Sequence, residues 1–283
     1  MQDSIHKADI LIESVPYLRA FRRKIIVAKY GGSAIDHPHT MRTILQDLIF
    51  LSTVGIRAVL VHGGGPMITK RLSEGGTRTR FINGIRVTDR QTIRVVAHEL
   101  NTINQRLVAQ IKALGGRAEG IGPSQEVVLA TPHAQAKRLG FVGTVSAVHT
   151  ATIRRVFMRE AIPVLSPLGV GDDRRLYNIN ADAVASEAAA ALHAEKLVLL
   201  TNVRGILRRA NEPSSLISTL SIKEARALME QEVIQTGMIP KVTACVDALQ
   251  RGVKKTHIID AALPHAMLLE IFTKQGIGTE IVR

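Results

Sequence analysis

The sequence predicts an α/β protein whose central, mostly parallel sheet is covered by helices on both faces. Three observations point there. Short apolar runs alternate along the chain with segments whose apolar residues recur at three- and four-residue spacing. These are the periods of buried strands and of amphipathic helices. The runs 25–28 and 58–61 are apolar throughout rather than alternating, as strands buried on both faces are. Each is followed by a glycine turn, Gly31-Gly32 and Gly63-Gly64-Gly65, and then by a helical pattern.

The elements follow in order. Residues 3–20 read as a separate helix, with Ile5, Ala8, Ile12 and Val15 on one face and Pro16 bending or ending it. Strands over 24–28 and 57–61 flank a helix bearing Met41, Ile44, Leu45 and Leu48 on one side. Another helix runs from the second glycine turn to about residue 74. A polar loop, 75–90, leads into a long helix over 91–114 that Gly115-Gly116 closes. Residues 117–149 read as a strand and a hairpin, because β-like runs there are broken by Gly and Pro. A helix over 151–160 and a strand over 162–165 complete the first half. The charged, turn-rich stretch 169–175 marks a boundary between lobes. Beyond it come a helix over 181–192, a strand over 197–201 and a helix over 222–231. A loop to 239 precedes a helix over 240–251 and a strand over 257–260. A short helix over 265–272 and a strand around Ile281 end the chain.

With 283 residues the chain can bury a full core. No apolar run approaches a membrane span, and the start carries Asp3, His6, Asp9 and Glu13 in place of an apolar signal core. Cys245 stands alone, which excludes an intramolecular disulfide and fits a reducing, cytoplasmic setting. The net charge is +13, but the basic residues are scattered as pairs and aromatics make up only 3%. With so few stacking platforms, small anions are better partners for this charge than nucleic acid.

Glycine at a strand-to-helix turn lets several N–H groups converge on one anion, and the following helix adds the positive end of its dipole. Two such turns, one preceded by Lys29, point to a phosphate site. Neither the P-loop nor the GxGxxG pattern occurs, and HExxH and GxSxG are absent, so the phosphate is held by another arrangement.

Lys29-Tyr-Gly-Gly-Ser, His62-Gly-Gly-Gly-Pro, Asn83-Gly-Ile-Arg86-Val-Thr-Asp, Tyr177-Asn-Ile-Asn-Ala-Asp182 and Gly237-Met-Ile-Pro-Lys241 occur in that order. Together they resemble the amino-acid kinase family from about residue 24 onward. The resemblance implies a three-layer αβα sandwich. It places an oligomerisation helix at 1–21 and a kinase domain at 22–283. The lobe at about 22–175 would take an acyl amino acid, and that at about 176–283 would take ATP.

The implied reaction phosphorylates the side-chain carboxylate of N-acetyl-L-glutamate in arginine biosynthesis. That carboxylate is ionised at neutral pH and needs no general base; the obstacle is repulsion between two anions. By resemblance Lys29 and Lys241 flank the migrating phosphoryl group and Asp182 orients both. Gly31 and Gly32 serve the phosphates. Gly64, Gly65, Arg86 and Asn178 serve the acyl amino acid, with Arg86 gripping its α-carboxylate. Mg2+ rides on the nucleotide, and the protein supplies no metal ligand.

The chain also departs from the family pattern. Asn202 and Arg204 replace the usual acid and its neighbour after the strand at 197–201. Thr236 precedes Gly237, and Gly122-Pro-Ser-Gln125 replaces a Gly-Lys-Asp-Gly stretch. The long helix carries Asn101 and Asn104 where Gly-x-x-Asn is usual. An acceptor of the aminoadipate type, or a non-catalytic arginine-sensing role, is the alternative these changes leave open. The segment 3–20 and the run His265 to Thr279 resemble the arginine-inhibited, hexameric members. Tyr17, Glu270, Gly276 and Gly278 would then form an L-arginine site in a homo-oligomer, a dimer or a hexamer.

Overall fold

The first apolar run becomes a strand buried at all six positions in the computed structural model, which describes residues 1–32, 35, 37–209, 212–234, 237–273 and 276–283. Ser33 of the first glycine turn and Thr236 lie outside the described residues.

In chain order the elements are α1 (Gln2–Phe21), β1 (Ile25–Tyr30), α2 (Pro38–Thr53), β2 (Arg57–His62), α3 (Gly65–Glu74), β3 (Phe81–Ile82), β4 (Ile85–Arg86) and α4 (Arg90–Ala113). Next come β5 (Ala118–Ile121), β6 (Val128–Pro132), α5 (Ala136–Leu139), β7 (Gly143–Val148), α6 (Thr150–Met158), β8 (Ile162–Leu165), β9 (Leu168–Val170) and β10 (Leu176–Asn178). The chain closes with α7 (Ala181–Ala191), β11 (Lys196–Thr201), β12 (Thr219–Ser221), α8 (Ile222–Glu230), α9 (Ile239–Gln250), β13 (Lys255–Asp260), α10 (Ala266–Phe272) and β14 (Thr279–Val282).

Eight strands form the main sheet in the order β12-β14-β13-β11-β1-β2-β8-β5. All neighbours are parallel except β13 and β14. Alternate residues of β1 feed two separate cores. Ile25 and Val27 pack with Ile153 of α6, Val184 of α7, Ala225 of α8 and Val242 of α9. Ile26, Ala28 and Tyr30 pack with Leu45 of α2, Ile68 of α3, Leu107 of α4 and Met267 of α10. Helices thus cover both faces, and the layering is the αβα sandwich. A four-stranded sheet, β10-β9-β6-β7, and the β3–β4 hairpin lie outside it.

Several local expectations are corrected. The polar loop over 75–90 contains the β3–β4 hairpin. The turn-rich stretch 169–175 does turn, between the paired strands β9 and β10. Strands of two or three residues are too short to show a period. Pro16 does not end α1, which continues to Phe21 because an exposed helix loses only one hydrogen bond there. The apolar face of α1 finds little to pack on within one chain, since Ile5 and Ile12 are 55% and 71% exposed. Its C-terminal end docks through Tyr17, whose ring meets Phe272 edge-on with centroids 6.2 Å apart.

The glycine turns follow β1 and β2, at the carboxyl ends of adjacent parallel strands. Open α/β sheets bind ligands at that edge.

Candidate active site

The two glycine turns touch backbone to backbone. A Cβ on Gly31 would lie 3.3 Å from Gly63 Cα and 3.1 Å from Lys29 Nζ. Gly63 N–H donates to Tyr30 O at 2.8 Å, so this pairing extends the β1–β2 register past the strand ends. Gly32 has φ +74°, a left-handed conformation natural to glycine. A Cβ on Gly64 would come within 2.8 Å of Ile103 and 2.9 Å of Leu100, so α4 presses directly on the second turn.

Lys29 leaves the end of β1 and Asp182 stands in the first turn of α7. Lys29 Nζ lies 2.9 Å from Asp182 Oδ1, with both side chains under one-tenth exposed. Lys241, in the first turn of α9, places its Nζ 3.5 Å from Asp182 Oδ2. One buried carboxylate therefore gathers two ammonium groups from distant parts of the chain. Burial alone would raise the Asp182 carboxyl, but the charges of Lys29 and Lys241 outweigh it and hold it below the ordinary range. Asn180, not Asp182, caps α7, accepting from Asp182 N at 2.7 Å. That frees the Asp182 carboxylate for the lysines.

Arg86 ends the β3–β4 hairpin and is buried. Its Nη2 donates to Gly65 O at 3.0 Å and Thr69 Oγ1 at 2.8 Å, and its Nη1 to Thr79 Oγ1 at 3.3 Å. The Phe81 ring covers one face, with the guanidinium carbon 4.9 Å from its centroid. Among the described residues no carboxylate pairs with it, and desolvation lowers its pKa. A buried cation of this kind calls for an anionic guest. Asn178 Nδ2 donates to Thr88 Oγ1 at 3.2 Å, and that hydroxyl donates to the main-chain carbonyl of Arg86 at 2.8 Å, so the Asn178 side chain is tied to the Arg86 backbone. Lys29, Gly32, Gly64, Arg86, Asn178 and Asp182 line a single cleft.

Sequence reasoning missed the layer beneath this cleft. His62, fully buried, places Nδ1 3.0 Å from Gly63 O and Nε2 3.2 Å from Asn104 Nδ2. Ser166 Oγ lies 3.3 Å from the same Nε2. Burial pushes the imidazole down to about 4, so it is neutral at physiological pH. The signals were His62 in its glycine motif and the pair of asparagines on the long helix. Thr201 ends β11 and its hydroxyl accepts from Val203 N at 3.0 Å, while Asn202 and Arg204 are exposed. Among the described residues no cluster of three or more His, Cys, Asp and Glu side chains is placed to hold a metal.

Most of the residues singled out for an effector lie around the C-terminal end of α10. Glu270 is buried; its Oε1 lies 2.6 Å from His257 Nδ1, and its Oε2 accepts from Ile277 N at 2.8 Å. Lys196 Nζ stands 3.0 Å from His257 Nε2, making a buried Lys–His–Glu chain. A Cβ on Gly276 would meet the Glu270 carboxylate at 3.3 Å. Tyr17 reaches this region through Phe272. Gly278 instead packs on β13, where a Cβ would lie 2.3 Å from Ile258 O.

Comparison with known proteins agrees with this architecture. The profile described as the amino acid kinase family matches residues 24–260. The chain is 45% identical to an acetylglutamate kinase of Heliobacterium modesticaldum, over 100% of both chains. It is 46% identical to an acetylglutamate kinase of Synechococcus sp., over 96% of this chain and 91% of the relative. Among solved structures, N-acetylglutamate synthase from Neisseria gonorrhoeae with coenzyme A and N-acetyl-glutamate superposes with a TM-score of 0.87 at 27% identity. That match covers 98% of this chain and 63% of the synthase chain. The same synthase with coenzyme A and L-arginine gives 0.82 at 26% identity, over 97% of this chain and 65% of the other. By its matched profile and its full-length relatives, this chain belongs to the amino acid kinase family.

Proposed function

We propose that this chain transfers the γ-phosphoryl group of ATP to the side-chain carboxylate of N-acetyl-L-glutamate. The product is N-acetyl-L-glutamyl 5-phosphate, made in arginine biosynthesis. The observation that carries the reading is a buried guanidinium, Arg86, with no carboxylate paired to it among the described residues, in the cleft shared with Lys29 and Asp182. A substrate with a carboxylate at each end fits both features. Arg86 and Asn178 take the α-carboxylate end, while the N–H groups of Gly64 and Gly65 receive the reacting carboxylate.

Lys29 and Lys241 neutralise the phosphoryl group as it moves, one on the side of each oxygen it passes between. Such charge compensation, already oriented by Asp182 before substrate arrives, is the main catalytic resource of phosphoryl transfer. Gly31 and Gly32 present backbone to the phosphates. Magnesium is carried by the nucleotide phosphates in this reading, and Asp182, shared by two lysines, is not one of its ligands. The segment 22–175 serves the acyl amino acid and 176–283 serves ATP.

The test is hydroxylamine trapping of the acyl phosphate, with ATP and a panel of acidic amino acids and their N-acyl forms. Hydroxamate formed from N-acetyl-L-glutamate alone is the expected result. Hydroxamate from an aminoadipate derivative would reassign the acceptor, and none at all would remove the enzymatic reading.

A second, regulatory reading rests on the Lys196–His257–Glu270 chain beside α1. L-arginine carries a carboxylate and a guanidinium, and this cluster offers a buried cation and a buried acid to match. The proposal is feedback inhibition through Tyr17, Glu270 and Gly276, in a homo-oligomer assembled through the exposed apolar face of α1.

A further inference from the structure

Resting on that reading of the cleft, we infer that His62 is a positioning residue: it turns the Gly63–Gly64 peptide so that the Gly64 N–H faces the reacting carboxylate. The carbonyl of Gly63 can only accept, so the proton shared with it at 3.0 Å sits on His62 Nδ1. Nε2 is then an acceptor, which the Asn104 amide at 3.2 Å supplies with a donor. Asn104 Nδ2 also donates to Val164 O at 2.8 Å, anchoring the tautomer to β8. On the other side of the amide, a Cβ on Gly120 would come within 2.2 Å of Asn104 Oδ1. Residue 120 is therefore a glycine for room, and Asn104 is held in one place.

The Gly63–Gly64 peptide is trans, as no cis bond occurs among the described residues, so a carbonyl fixed toward the buried imidazole sends the N–H of the next residue the opposite way. Gly63 N–H is already taken by Tyr30 O. Gly64 N–H makes no hydrogen bond among the described residues, and Gly64 lines the cleft with Lys29 and Asp182. The helix that seats Gly64 through Leu100 and Ile103 is the one that carries Asn104. One element thus sets both the position of the donor and the tautomer that aims it. The imidazole stays neutral across the physiological range, so the arrangement does not switch with pH there.

Two substitutions separate positioning from bulk stability. His62→Asn places an amide nitrogen where Nδ1 stands, and His62→Gln places one where Nε2 stands. H62N is expected to recover most of the rate. H62Q should lower kcat/KM for N-acetyl-L-glutamate on the order of 10²-fold, the scale of a donor misplaced by about 1 Å, with KM for ATP little changed. Equal kinetics in the two variants, or a parallel change in the ATP constant, would overturn the inference. So would two variants that both fail to fold, since His62 would then serve stability alone. The unaltered chain, assayed alongside, reports on the proposed reaction itself. Backbone orientation is read independently of turnover from the Gly64 amide resonance in chain labelled with 15N-glycine. It should be preserved in H62N and displaced in H62Q, and equal displacement would contradict the assignment.

Discussion

The Lys29 ammonium lies 2.9 Å from Asp182 Oδ1, and both side chains are more than nine-tenths buried. Lys29 lies one residue from the end of a central strand and Asp182 stands in the first turn of a helix in the other half of the chain, so only the fold joins them. Breaking a buried pair leaves the surviving charge without compensation, which costs more than the pair itself contributes. Asp182→Asn should therefore destabilise the fold by about 3 kcal/mol. Lys29→Met with Asp182→Asn should be less damaging than the sum of the two single changes. Denaturant unfolding of the four chains gives the coupling; strict additivity would show that the pair is not coupled.

Arg86 supplies two-pronged recognition that an ammonium cannot reproduce. Arg86→Lys should raise KM for N-acetyl-L-glutamate roughly 10- to 100-fold, the scale of lost hydrogen bonds to a charged group. The ATP constant should move little. Comparable effects on both substrates would place Arg86 outside the acyl amino acid site.

His62 makes stability depend on pH in a defined window. Its folded value of about 4 lies below the ordinary 6.5, so between these limits the unfolded chain binds more protons. Stability should be fully present above pH 6.5 and fall as pH drops toward 4, by on the order of 3 kcal/mol from this group. The slope of unfolding free energy against pH should flatten in H62N relative to the unaltered chain. An unchanged slope would mean that His62 does not carry the linkage.

The effector reading predicts that L-arginine inhibits the full chain. Removal of residues 1–21 or the change Glu270→Ala should weaken that inhibition about tenfold or more, within the usual range of coupling between sites. Dose–response curves for the three proteins decide it. Equal sensitivity in all three, or none in the full chain, would rule the site out.

Much of the architecture was legible because buried strands and amphipathic helices leave long periodic traces, as β1, α4 and α7 do. The meeting of Lys29, Lys241 and Asp182, the trio proposed for catalysis, was legible for a different reason. Lys29 stands at a glycine turn and Lys241 at a helix start, where the dipole disfavours a cation, so neither position is explained by packing. Asp182 stands in the first turn of its helix, but Asn180 is the residue that caps it. The His62 network was not legible. Asn104 and Ser166 lie 42 and 104 residues from His62, and no local pattern connects them. Gly278 shows the opposite limit, since a glycine in a ligand-like motif is here required by close packing on β13.

In the proposed reaction two ammonium groups held by one carboxylate compensate the charge of a migrating phosphoryl group. Single-turnover phosphoryl transfer in Lys29→Ala and in Lys241→Ala, at saturating ATP and N-acetyl-L-glutamate, tests it most directly. Each rate should fall on the order of 10²–10³-fold, the effect of losing one charge-stabilising donor. Near-normal transfer in both variants would contradict the account.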